Sequence, residues 1–229
     1  YKTHLFLKKN NFLTPETFEL EKKNNYKIFK KIKFPCYAKP KIGTSSRGVF
    51  VIKSLKDFQD LKLDNKKYVI QNRAGDKNKK EEYTAGLFID KNKKIFGPII
   101  IRRIIKNGTS WTSEVIKNKK FSEYLRKVSY KFNSEGSVNF QFYEKKGLPE
   151  IFEINPRISG TCSIRSYFGF NEPEMYIDHF LNDIKLKKPE IKMGMCLRFN
   201  QEIFIDNFNF KKIKTNKGKK VNAKIKQWF

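Results

Sequence analysis

Acidic residues are in short supply: 23 Asp and Glu stand against 50 Lys and Arg, a formal charge of +27 at pH 7. Cysteine is scarcer, and Cys36, Cys162 and Cys196 are odd in number and form no Cys-x-x-Cys pair. That argues against a disulfide framework or a structural zinc site. The two histidines, His4 and His179, have no metal-ligand neighbour in sequence and read as surface or packing residues. No apolar run approaches the roughly 20 residues that a bilayer-crossing helix needs. The opening Tyr1-Lys-Thr-His has no signal-peptide pattern, so the cytoplasm is the expected compartment and a membrane partner is not indicated. No internal repeat is evident.

What is present suits a folded domain. A chain of 229 residues, 38% hydrophobic and 15% aromatic, buries a real core without disulfides or metal. The positive charge invites a nucleic-acid reading, since basic surfaces attract phosphate backbones. Yet it is mostly lysine, spread through the chain among abundant Asn, Ile and Phe, the pattern of an AT-rich genome. No helix-turn-helix, zinc-finger or RNA-recognition signature accompanies it, so nucleic acid is the weaker alternative.

The most informative stretch runs from Asn139 to Arg157. Two alternating runs flank a Lys-Gly-Leu-Pro break and predict a β-hairpin turning around Gly147. Pairing symmetric about Gly147 sets Gln141 opposite Glu153 and Asn139 opposite Asn155. These four share one face, and Phe140, Phe142, Phe152 and Ile154 share the other. Burying four polar side chains is costly unless something satisfies them, and a hard cation with phosphate oxygens would.

Gly136-Ser-Val-Asn-Phe-Gln followed by Glu153-Ile-Asn-Pro-Arg-Ile-Ser-Gly160 resembles the ATP-grasp superfamily, above all the half-domains of carbamoyl-phosphate synthase large subunits and stand-alone carboxylate-amine ligases. The resemblance implies an α+β ATP-grasp fold, a small lid on a larger antiparallel body with flanking helices. It implies ATP and magnesium (Mg2+, or Mn2+) as cofactors, with Gln141, Glu153 and Asn155 as metal ligands and Arg157 touching the transferred phosphate. Lys39, ahead of Pro40 and the loop Lys41 to Gly48, matches the lysine that neutralises the α and β phosphates. Thr44, Ser45 and Ser46 in that loop offer donors to an anion. Gln71 and Asn72 fall at the hinge that binds adenine, where a glutamate is usual. Glu82, in Glu-Tyr-Thr, would accept from ribose, and the aspartate that often follows is Gly86. Arg102 or Arg103 would clamp phosphate or carboxylate, because alternation turns one of them to the site; Arg102 is the candidate taken, with Arg103 left open. Ser159 to Ser163 would open a helix whose N-terminus could hold an anion.

Coarse patterning predicts a helix within 5–15, strands over 34–40 and 68–73, and a helix over 55–61. It also predicts body strands at 87–89 and 95–105, a polar loop over 108–114, a core helix over 121–132, a helix over 174–180 and a strand over 193–205. The expected division is 1–33 as helix and linker, 34–73 as lid, 74–185 as body, and 186–229 as a strand and basic tail. Family members carry a preceding α/β domain, so the chain is expected to be a fragment or an excised domain. The expected function is an ATP-dependent ligase that activates a small carboxylic acid as an acylphosphate for attack by an amine, releasing ADP and phosphate. The alternatives are a non-catalytic nucleotide-binding module and a nucleic-acid-binding protein. The oligomeric state, a homodimer included, is left open.

Overall fold

The computed structural model describes residues 1–20, 28, 30–43, 47–61, 63–64, 67–76, 81–106, 108–199, 202–206 and 225–227. Two antiparallel sheets organise them. The small sheet is built from β1 (Thr17–Glu19), β2 (Cys36–Pro40), β3 (Phe50–Ile52) and β4 (Tyr68–Asn72), in the order β1-β4-β2-β3. The large sheet takes β5 (Glu82–Ile89), β6 (Ile95–Lys106), β7 (Thr109–Ile116), β8 (Gly136–Lys145), β9 (Leu148–Asn155), β10 (Gly194–Arg198), β11 (Glu202–Asp206) and β12 (Ile225–Gln227), in the order β12-β11-β10-β7-β6-β5-β8-β9. The helices are α1 (Lys2–Lys9), α2 (Leu55–Asp60), α3 (Lys119–Phe132), α4 (Cys162–Tyr167) and α5 (Glu172–Tyr176), the last running into a π-helical turn over Ile177–Leu181.

The two faces of the large sheet have different fates. On one, Tyr83, Ala85, Leu87, Val138, Phe140 and Phe142 meet Phe121, Leu125 and Val128 of α3, with Leu7 of α1 joining the same core. Helix α3 forms because its apolar residues recur at helical spacing. Asn118 caps it by accepting from Phe121 N, and Asn133, at φ 48°, ends it in the left-handed region. On the other face, Ile99, Ile101, Val115 and Cys196 are covered by Ile164 of α4 and by Phe168 and Phe170 just after it. The rest of that face is polar and opens toward the small sheet.

Some expected boundaries differ. The residues expected to form a polar loop over 108–114 lie mostly in β7, where they pair with β6 and β10. The expected strand over 193–205 is two strands, β10 and β11, folded back on each other. Edge strand β1 pairs with β4. The basic tail, apart from β12, lies outside the described residues, as do Thr44, Ser45 and Ser46. No helix among the described residues is long and apolar enough to cross a membrane.

Candidate active site

The hairpin β8–β9 turns at Lys146 (φ 51°) and Gly147 (φ 78°). Two positive φ values in a two-residue loop match the right-handed twist of the strands and fix the register. Asn139 lies opposite Asn155 and Gln141 opposite Glu153. Beyond Gln141 the register slips, and Phe142 pairs with Ile151. This bulge corrects the expected apolar face, because the extra residue, Phe152, turns to the polar side, where it lines the same cavity as Glu153. Its ring lies 5.6 Å from that of Tyr143, centroid to centroid, and 4.7 Å from Lys39 Nζ.

A cavity of about 750 Å³ lies between the two sheets, and Lys39, Gln71, Glu82, Gln141, Glu153, Asn155 and Arg157 all line it. Lys39 reaches in from β2 and donates to Gln71 Oε1 at 2.7 Å; Gln71 Nε2 in turn donates to Thr17 Oγ1 at 2.9 Å. Burial pushes the Lys39 ammonium below the ordinary lysine value, while Glu153 and Glu82 pull it back up. On the large sheet Asn155 Nδ2 donates to Glu153 Oε1 at 2.6 Å. Glu82 accepts from Arg103 Nη2 at 2.6 Å and from Tyr143 OH at 2.8 Å. Burial, then the neighbouring Glu82, raises the Tyr143 phenol and keeps it a donor. Arg103 Nη2 also donates to Gln141 Oε1 at 2.9 Å.

One expected placement is corrected. Arg102 stands across from Tyr83, and its guanidinium pairs with Glu114 at 2.5 Å and Glu81 at 2.7 Å. Strand alternation sends Arg103, opposite Glu82, to the cavity instead. Asn72 lines the cavity, and its side chain is tied to the turn ahead of β2: Oδ1 accepts from Lys33 N at 2.9 Å and Nδ2 donates to Lys31 O at 3.3 Å. The expected anion-holding helix start is a six-residue helix, α4, whose leading amides are already bonded. Thr161 N goes to Ser159 Oγ, and Cys162 N to Ser159 O. His4 is buried at the cavity wall, and burial lowers its pKa. His179 accepts from Lys91 N at 3.0 Å, as a packing residue would.

Below the polar face lies a fully buried guanidinium, that of Arg165. It donates from Nη1 to both Glu172 oxygens at 3.2 Å and from Nη2 to Asn139 Oδ1 at 2.5 Å and Thr84 Oγ1 at 3.2 Å. A Cβ on Gly86 would run into the Arg165 guanidinium, which is the physical reason for a glycine there. Ser110, from β7 and within the polar stretch 108–114 that the sequence offered as a substrate contact, lines the cavity, as does Arg198 from β10. Arg198 carried no motif in the sequence, and only the pairing of β10 with β7 brings it there.

The donor set suits a magnesium-type ion. One carboxylate, Glu153, stands with the amide oxygens of Asn155 and Gln141, all hard donors lining one cavity. Among the described residues no three His, Cys, Asp or Glu side chains cluster as a metal cage.

Residues 79–203, more than half of the chain, match the family model described as ATP-grasp in the biosynthetic pathway with Ter operon. Among curated proteins the chain is 28% identical to uncharacterized protein MJ0776 of Methanocaldococcus jannaschii, over 91% of this chain and 53% of that protein. Among solved structures it resembles N5-carboxyaminoimidazole ribonucleotide synthetase from Thermotoga maritima, with a TM-score of 0.66 and 17% identity over 86% of this chain and 52% of that one. It also resembles N5-carboxyaminoimidazole synthetase from Staphylococcus aureus complexed with ADP, with a TM-score of 0.68 and 15% identity over 85% of this chain and 54% of that one. For biotin carboxylase from Campylobacter jejuni the TM-score is 0.70 and the identity 13%, over 86% of this chain and 49% of that one. The chain thus spans about half the length of the relatives it matches. At these identities the structural likenesses speak for the fold.

Proposed function

Because this chain belongs to the ATP-grasp family in the biosynthetic pathway with Ter operon, we propose that it is an ATP-dependent ligase, binding ATP between its two sheets and activating a carboxylate for attack by an amine. The observation that carries this reading is the single cavity that Lys39 from the small sheet shares with Gln141, Glu153, Asn155 and Arg157 from the large one. In this reading a substrate carboxylate oxygen attacks the γ-phosphorus, the bond to the β–γ bridging oxygen breaks, and ADP leaves. An amine then attacks the acyl carbon, loses its proton and displaces phosphate, forming a carbon–nitrogen bond.

Phosphoryl transfer needs positioning and charge neutralisation more than a protein nucleophile. Lys39, fixed by Gln71 and Phe152, neutralises nucleotide phosphates, and Arg157 meets the group in transit. Glu82 keeps spare acceptor capacity for ribose hydroxyls beside its bonds to Arg103 and Tyr143. Magnesium or manganese held by Glu153, Asn155 and Gln141 would supply charge neutralisation at the phosphate oxygens.

Glu153→Gln tests the reading. It keeps the shape of the side chain and removes the carboxylate, so acid-dependent ADP release should fall by about 100-fold or more while circular dichroism stays native. Undiminished turnover would overturn the assignment. Binding of MgADP without acid-dependent ADP release from any acid would mark a nucleotide-binding module instead.

A further inference from the structure

Arg165 and Glu172 form a fully buried ion pair that the chemistry above does not use. Such a pair does little better than apolar packing of the same volume, and often worse. Here it also takes the space a side chain at Gly86 would fill. Beyond Glu172 the guanidinium reaches two side chains, Asn139 and Thr84. A guanidinium can only donate, so the Asn139 atom 2.5 Å from Arg165 Nη2 is the amide oxygen. Thr84 Oγ1 donates to the same oxygen at 2.8 Å. Both lone pairs of Oδ1 are thus filled, and the carboxamide is fixed with its nitrogen turned away from Arg165. Asn139 is 2% exposed and lines the cavity. Its Nδ2 meets no protein acceptor among the described residues and is not walled off, so it faces the cavity.

Strand β8 sets where that donor stands. Tyr143, Gln141 and Asn139 follow one another on a single face, about 7 Å apart, since every second side chain shares a face. Tyr143 bonds to Glu82, the ribose acceptor of the ligase reading, and Gln141 belongs to its metal set. Asn139 is therefore one step further from the nucleoside. In-line transfer sets the attacking oxygen on the far side of the γ-phosphorus from ADP, so the acid lies toward that end. Arg157, Ser159 and Gly160, which follow Asn155 opposite Asn139, line the cavity there. A Cβ on Gly160 would meet no neighbour, which leaves this end open to a substrate.

Resting on the ligase reading, we propose that Asn139 is a catalytic hydrogen-bond donor and that Arg165 is the residue that positions it. Asn139 Nδ2 donates to the carboxyl oxygen that does not attack phosphorus and so becomes the carbonyl oxygen of the acylphosphate. As the amine lone pair bonds to the acyl carbon, the carbonyl π pair moves onto that oxygen. It returns when the carbon–oxygen bond to phosphate breaks; phosphate leaves with the electrons of that bond, and the amine proton passes to water. A fixed N–H stabilises the charge on the oxygen between those two events without reorganising. Arg165, held by Glu172, keeps the amide from presenting its own oxygen there, where it would repel that charge.

The test uses protein expressed from its complete gene, with MgATP and with hydroxylamine as the amine. The twenty protein amino acids, lactate, succinate and gluconate are the acids, and the one giving most hydroxamate is carried forward. Asn139→Asp keeps the side-chain shape and the acceptor for Arg165 but replaces the cavity-facing donor with an oxygen. Its kcat for hydroxamate should fall about 100-fold or more, with Tm not lowered and the MgADP dissociation constant changed by less than about threefold. An asparagine that served only to hold Arg165 would be replaced by aspartate without loss. Arg165→Gln should lower kcat about tenfold or more, yet add nothing to the loss caused by Asn139→Ala, because it acts through that amide. A kcat for Asn139→Asp close to wild type would overturn the inference and leave the ligase reading standing. Equal losses from Arg165→Gln with and without Asn139 would overturn the positioning role. Failure of every acid to give ADP or hydroxamate, with MgADP still bound, would sink both readings. If Arg165→Gln does not fold, Asn139→Asp decides alone.

Discussion

Lys39 shows how a single residue ties chemistry to pH. Its amine is held below the ordinary lysine value by burial, against the pull of Glu153 and Glu82. An anionic nucleotide favours the protonated form, so affinity is full below the lowered pKa and is lost as pH rises through it. An exposed lysine keeps its charge to about pH 10.4. A titration of the MgADP dissociation constant should therefore show weakening that begins before that value. Lys39→Arg should flatten the alkaline limb, because a guanidinium stays charged throughout. Parallel loss in the variant would assign the titration to another group. The lysine itself was legible in the sequence from its place ahead of Pro40 and the glycine-bracketed loop. Its partner Gln71 was legible only as a departure, and the bond between them depends on β2 pairing with β4, which puts Tyr37 rather than Lys39 opposite Gln71.

At the scale of elements, the hairpin and the buried layer behind it act together. The alternation of Asn139, Gln141, Glu153 and Asn155 predicted their pairing, but the two-residue turn at Lys146 and Gly147 would by itself set Gln141 opposite Phe152, and it is the bulge there that brings Glu153 to that place. The bulge itself was not read from the sequence, where Ile151 and Phe152 stand side by side and nothing local says which of them turns inward. Behind the hairpin, Arg165 links Glu172 of α5 to Asn139 of β8. Gly86→Ala would drive a Cβ into that guanidinium, which has nowhere to go while it stays paired. The variant should lose about 2–3 kcal/mol of stability by urea unfolding, from overpacking and strain on a buried ion pair. Wild-type stability would mean that the Arg165 side chain relocates freely.

Across the whole molecule, the two sheets enclose the site between them, so a ligand that touches both should couple them. Besides the cavity, Gly75 N donates to Glu150 Oε2 at 2.6 Å, and Lys39 lies against Phe152. If nucleotide binds only the folded state, MgADP at about 100 times its dissociation constant should add about 2.7 kcal/mol of stability. Thermal unfolding should report this as a higher Tm with MgADP, and EDTA should remove most of the gain. A Tm indifferent to MgADP would argue against a nucleotide spanning the two sheets. The charge of +27 acts at this scale too, but part of it lines the cavity, which composition could not distinguish from a basic surface.

The sequence by itself determined the hairpin, the polar face it presents, the core helix after Asn118 and the family pattern around Glu153-Ile-Asn-Pro-Arg157. Those are local matters, set by alternation, helical spacing, capping and turn chemistry within a few residues. Only the tertiary structure decided that Arg103 and not Arg102 enters the cavity, that Gly86 yields its space to Arg165, and that Arg198 joins Ser110 at the site. Each of those depends on which strand lies beside which, and strand neighbours are fixed by burial across the whole sheet, not by any stretch of chain read alone.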